Sequence, residues 1–151
     1  MPDSLPSAKK SIWPSVVIAL LSLVGLGDAV YLTVQDLTGQ NLRCTIISGC
    51  SEVLASKYAH LGPVPLASVG AIAYFAVFSL AVLAIFGYSF VRPLLMVLVV
   101  FMFLTSLWLL YLQAFVIHHF CQYCLLSAAV TTVITAIVFA ARFARRKSAS
   151  P

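Results

Sequence analysis

The stretch HHFCQYCLLSAAVTTVITAIVFAARFARRK, residues 118–147, carries two cysteines at one end, an apolar run in its middle and a basic cluster at the other end. From Gln122 to Phe143 it is long enough, at about 1.5 Å of rise per residue, to cross a hydrocarbon core of about 30 Å. It reads as a membrane-spanning helix. Arg142, Arg145, Arg146 and Lys147 mark its cytoplasmic end under the positive-inside rule, which leaves Cys121 and Cys124 at the outer surface.

Working outward from this segment, three more apolar runs appear at residues 12–34, 65–88 and 93–117. The chain of 151 residues is 62% hydrophobic and only 9% charged, more apolar than a soluble domain of this size can cover. Four spans of about 20 residues nearly exhaust it. The expected fold is therefore all-α, a four-transmembrane-helix bundle forming one membrane domain over residues 1–151, with no fused thioredoxin-like domain. The first run, preceded by Lys9 and Lys10, exceeds a signal-peptide core of about 7–15 residues and reads as a retained span.

The net charge of +5 raises the question of nucleic acid, but the basic residues cluster at span ends without interleaved exposed aromatics. Topology accounts for them instead. Lys9, Lys10, Arg92 and the four at the end of the last span share one side, so seven of nine basic residues do, with Arg43 and Lys57 opposite. Both termini are then cytoplasmic, and residues 37–64 and 118–121 lie outside a cell (inner) membrane.

All four cysteines fall on or near that outer face, where disulfides persist. Cys121 and Cys124 open the last span as Cys-Gln-Tyr-Cys, one turn apart on one face. The helix N-terminus favours a thiolate on Cys121, expected to be the more acidic and more accessible thiol. Cys124 lies one turn deeper, within reach of a hydrophobic electron acceptor. Alone, the motif fits half a metal site as well as a redox pair. Cys44 and Cys50 supply a second pair in the first outer loop, where Gly49 lets the chain turn back beside Cys50. Two such pairs suit a relay, one receiving electrons from a protein and the other delivering them onward.

These features together resemble the vitamin K epoxide reductase family, and its bacterial branch in particular: four spans, a loop pair Cys44 and Cys50, Ser56 six residues later, and Cys121 and Cys124 opening the last span. The disulfide-bond formation protein B family differs in carrying its Cys-x-x-Cys in the first outer loop. The resemblance implies that the outer loop carries a short helix with Ser56 near the active site. It implies that Cys44 exchanges with a thioredoxin-like partner, that Cys50 passes electrons to Cys121, and that Cys124 faces a quinone such as menaquinone, ubiquinone or vitamin K. The implied reaction is thiol oxidation in support of disulfide formation. Animal members place a tyrosine four residues after the last cysteine, against vitamin K; Ala128 stands there, which favours plain quinone over epoxide as acceptor. The rival readings are a reductase of the vitamin K cycle and a non-catalytic membrane protein with two structural disulfides.

The remaining polar residues have functional and bland readings. Asp28 is the acid inside a span, a candidate for proton delivery. Lys57 and His60 are candidates, with Ser56, for seating the quinone, although headgroup contacts suit them equally. Asp36 and Glu52 read as solvated loop residues. His118, His119, Cys121 and Cys124 crowd into seven consecutive positions that do not readily surround one ion, so no metal is expected. Leu125 after Cys124 rules out haem attachment. The aromatics Phe75, Phe78, Phe101, Phe103, Trp108, Tyr111 and Phe115 read as lipid-facing or packing residues. Gly25, Gly27, Ala29, Ala67, Gly70, Ala71, Ala128 and Ala129 read as close helix contacts.

Overall fold

In a bilayer every backbone N–H and C=O must be satisfied within the chain, so long apolar runs become helices. A computed structural model describes residues 12–39, 44 and 49–150. Four helices in it are long and apolar enough to cross a membrane. These are α1 (Trp13–Thr38), α3 (Leu66–Ile85), α4 (Val91–Leu112) and α5 (Gln122–Ala149). The short α2 (Cys50–Ala55) lies in the loop between α1 and α3.

The boundaries depart from the apolar runs where local chemistry intervenes. Helix α1 continues to Thr38, beyond Val34, with the Thr38 hydroxyl donating to the Val34 carbonyl at 2.8 Å. Gly39 then stops it in the left-handed region at φ 64°, its N–H donating to the Asp36 carbonyl. Helix α5 runs to Ala149 because its basic tail is rich in alanine, arginine and lysine, all strong helix formers. Helix α4 starts at Val91, placing Pro93 in the first turn, where a missing N–H costs nothing. Its C-terminal end widens into a π turn over Gln113–Ile117, closed by His118 at φ 58°. The third span is thus not one uniform α-helix over residues 93–117.

Between α2 and α3 the chain makes a 3₁₀ turn at Lys57–Ala59 and a two-residue antiparallel ladder, β1 (His60–Leu61) with β2 (Val64–Pro65). Such short strands leave no alternating pattern in the sequence. The hairpin is tied back to α1 by His60 Nε2 and Asp36 Oδ2 at 3.0 Å.

The spanning helices form a closed ring in which α1 packs along α3 and α5, and α4 along α3 and α5. Helices α3 and α5 are diagonal, yet Tyr74 crosses between them. Its hydroxyl meets the Ser127 carbonyl at 2.9 Å and the Ser127 and Thr131 hydroxyls at 2.8 Å each. The ring passes over Gly25 of α1, where any Cβ would overlap it. At Gly70 a Cβ would sit 3.9 Å from that of Ala29, an ordinary contact of α3 with α1. Gly27 and Ala129 instead face outward, so the expectation of close packing fails at those two positions. The central core joins Ile18, Tyr74, Val77, Leu95, Val99 and Ile134.

Candidate active site

The end of the bundle that carries α2 holds a second buried cluster, made of Leu32, Cys50, Val53 and Cys121, with Cys44, Cys124 and Tyr123 packed against it. All four cysteines therefore converge, although they arise from a loop, a short helix and the start of a span. Cys44 and Cys50 are joined as a disulfide with Cα atoms 6.2 Å apart. Cys121 and Cys124 are free thiols.

Two residues bring the loop onto the span. Gly49, the N-cap of α2, lies against the other strand of chain: a Cβ there would come within 2.7 Å of the Phe120 carbonyl oxygen. Its φ of 176° is extended and open to any residue, so the glycine supplies room for a close approach and not a special turn. Gln113, buried in the π turn, accepts the Cys121 backbone N–H on its Oε1 at 3.0 Å. This fixes the entry to α5, whose N-cap is Cys121 itself.

Electrostatics distinguish the first thiol of the motif. Hydrogen bonding from Cys124 lowers the Cys121 thiol to about 7, against burial, and the backbone N–H groups of Cys124 and Tyr123 add to the lowering. Cys121 is thus the acidic thiol the spacing suggested, with its neighbour's side chain contributing more than the helix end. It is not accessible, however, having 0% of its surface exposed. The cover is α2 and the close approach of Gly49 to Phe120.

Cys124 opens on the other side into a cavity of about 140 Å³, chiefly apolar, bounded by α1, α3, α4, α5 and the loop. Asp28, Tyr74, Gln113 and Ala128 line its depth, and Asp36, Ser56 and Tyr58 its outer rim. Asp28 is buried, and neither of its carboxylate oxygens has a hydrogen-bond partner among the described residues. Ser56 donates to the Val53 carbonyl at 2.7 Å, closing the end of α2.

The sequence-based candidates thus separate. Asp28, Ser56 and Cys124 border one cavity. Lys57 does not border it; its ammonium lies 5.3 Å above the Tyr58 ring. His60 stands behind the rim, bonded to Asp36, which is therefore half-buried and paired rather than a solvated loop acid. Glu52 is exposed in the first turn of α2. The aromatics Phe75, Phe101, Trp108, Tyr111 and Phe115 face outward, the last three in a ladder with centroids 5.8 and 5.1 Å apart. None of these five lines the cavity, nor does Phe78 or Phe103. Tyr74 and Gln113 were missed. The signal for Gln113 was an amide inside an otherwise apolar run; Tyr74 differed from neighbouring phenylalanines by one hydroxyl.

A membrane bundle with two cysteine pairs meeting above an apolar cavity defines a membrane thiol oxidoreductase. The vitamin K epoxide reductase family model matches residues 16–139, and the chain belongs to that family.

Proposed function

We propose that the protein oxidises the dithiol of a thioredoxin-like partner and passes the electrons to a quinone, supporting disulfide formation on the outer side of the inner membrane. The observation that carries this reading is the gathering of all four cysteines in one cluster, with Cys124 alone among them opening on the apolar cavity.

A partner thiolate attacks Cys44, Cys50 leaves as thiolate, and the partner's second thiol resolves the mixed disulfide, releasing Cys44. The partner is then oxidised and the loop pair reduced. The Cys50 thiolate next attacks Cys121 of the Cys121–Cys124 disulfide, expelling Cys124; Cys44 attacks Cys50, restoring the loop disulfide and leaving two thiols on α5. That last state, one loop disulfide and two span thiols, is the arrangement of the structure. Cys121 and Cys124 finally re-form their disulfide, giving two electrons and two protons to the quinone. The sum is one dithiol plus one quinone to one disulfide plus one quinol.

The low thiol pKa of Cys121 makes it a good leaving group when Cys44–Cys50 is regenerated. The unpartnered Asp28 carboxyl, bordering the same cavity as Cys124, serves proton delivery to the reduced ring. Ser56 shapes the rim of the quinone site, whereas Lys57 and His60 act from outside it. The distribution of basic residues supports an outer position for this site and a cytoplasmic one for both termini.

The test uses the purified protein in detergent, with a reduced thioredoxin-like protein or dithiothreitol as donor and quinone absorbance as readout. Cys124→Ala is expected to abolish quinone reduction with either donor, and Cys44→Ala to impair it mainly with the protein donor. Asp28→Asn is expected to slow quinone reduction while leaving partner exchange at Cys44 intact. Failure of the unaltered protein to reduce any common quinone overturns the proposal.

A further inference from the structure

At the opposite end of the bundle a second cavity, of about 340 Å³, lies between the start of α1, the start of α4 and the end of α5. Arg92, Arg142, Arg145 and Arg146 line it, and Ile18 and Leu95 are among its buried apolar residues. Among the described residues no carboxylate lines it; Asp28, Asp36 and Glu52 belong to the other half of the molecule. Two of the guanidinium groups are poorly served by the protein. Arg92 Nε is buried with no partner among the described residues, and Arg142 Nη1 donates to the thioether of Met96, a weak acceptor, at 2.7 Å.

Orientation in a membrane requires basic residues near span ends, but it does not require them to converge on one cavity from two helices. Lys147 shows the difference: it follows Arg146 directly and does not line the cavity. Four like charges brought together at the edge of a low-dielectric region repel one another unless an anion intervenes. Guanidinium forks match phosphate oxygens in geometry as well as charge. The apolar side chains beneath them suit the glycerol and first acyl carbons of a lipid better than a free ion.

We propose that this cavity is a binding site for the phosphate headgroup of an anionic phospholipid from the leaflet bordering the basic end. The lipid joins the beginnings of α1 and α4 to the end of α5, elements whose packing at this end is otherwise interrupted by the cavity. This inference is independent of the reaction assigned to the cysteines.

The experiment is native mass spectrometry of the full chain, released from bilayer discs of phosphatidylcholine with increasing phosphatidylglycerol. The unaltered protein should retain one phosphatidylglycerol at least tenfold in preference to phosphatidylcholine. Arg92→Gln and Arg145→Gln should each lower that retention about fivefold, the equivalent of about 1 kcal/mol per basic residue. Lys147→Gln should leave it unchanged. The absence of a lipid preference in the unaltered protein overturns the proposal without recourse to any variant. Equal losses in Lys147→Gln reduce the effect to general surface charge and also overturn it. Displacement of the lipid by millimolar inorganic phosphate overturns the lipid assignment in favour of a simple anion site, whereas persistence supports it.

Discussion

Replacing Gly49 by alanine tests whether the close approach of the loop to Phe120 is what couples the two cysteine pairs. The added Cβ would lie 2.7 Å from the Phe120 carbonyl oxygen and 3.2 Å from its amide nitrogen and from the His119 Cβ. Two of these are backbone atoms, which cannot swing aside as a side-chain end does. Overpacking of this kind costs about 1–3 kcal/mol. Spent on separating the loop from the span, it weakens their docking by about 5- to 150-fold. Alanine accepts the extended φ of this position, so backbone strain does not confuse the outcome. Turnover with a thioredoxin-like donor and quinone should fall at least about fivefold. Maleimide labelling of Cys121, now fully covered, should accelerate in parallel. Unchanged turnover with Cys121 still protected would refute the reasoning.

Gln113→Leu removes the acceptor of the buried Cys121 N–H and should lower stability by about 1–3 kcal/mol, seen in thermal unfolding in detergent, with slower transfer to Cys121. Gly25→Ala drives a methyl group into the Tyr74 ring and should weaken quinone binding, since Tyr74 lines the cavity; an unaltered KM for quinone would count against that cavity as the acceptor site. With the loop disulfide formed, the thiolate absorbance of Cys121 should rise with pH to half its final value near about 7. Below that pH the protonated thiol predominates; above it the thiolate does. Cys124→Ala removes the largest cause of the lowering and should move the midpoint upward.

The spans were legible because lipid leaves a chain few alternatives to helix, and the cysteine order was legible because it is written in sequence. The inward faces were not. Helices α3 and α4 are apolar all round, so no stripe of polarity separates Tyr74 from Phe75, although one crosses the bundle and the other faces out. The π turn at Gln113–Ile117 escaped for a related reason: it alters hydrogen bonding without altering composition. Asp28 was visible as the acid within an apolar run, and its lack of a partner emerged only when four helices were placed around it. The basic residues carried an expectation of orientation, and none about their convergence on a cavity. Gly49 was noticed for its freedom of turn, while the structure uses its lack of bulk.

The sealing of Cys121 works as insulation does around a conductor. An acidic thiol in contact with solvent would be oxidised or reduced by any small sulfur compound that drifted past. With its surface withdrawn from solvent, the sulfur groups it meets are those of the same cluster, Cys124 beside it and the loop cysteines above. On the reaction proposed above, a dissolved thiol therefore delivers electrons less readily than a protein that docks at Cys44.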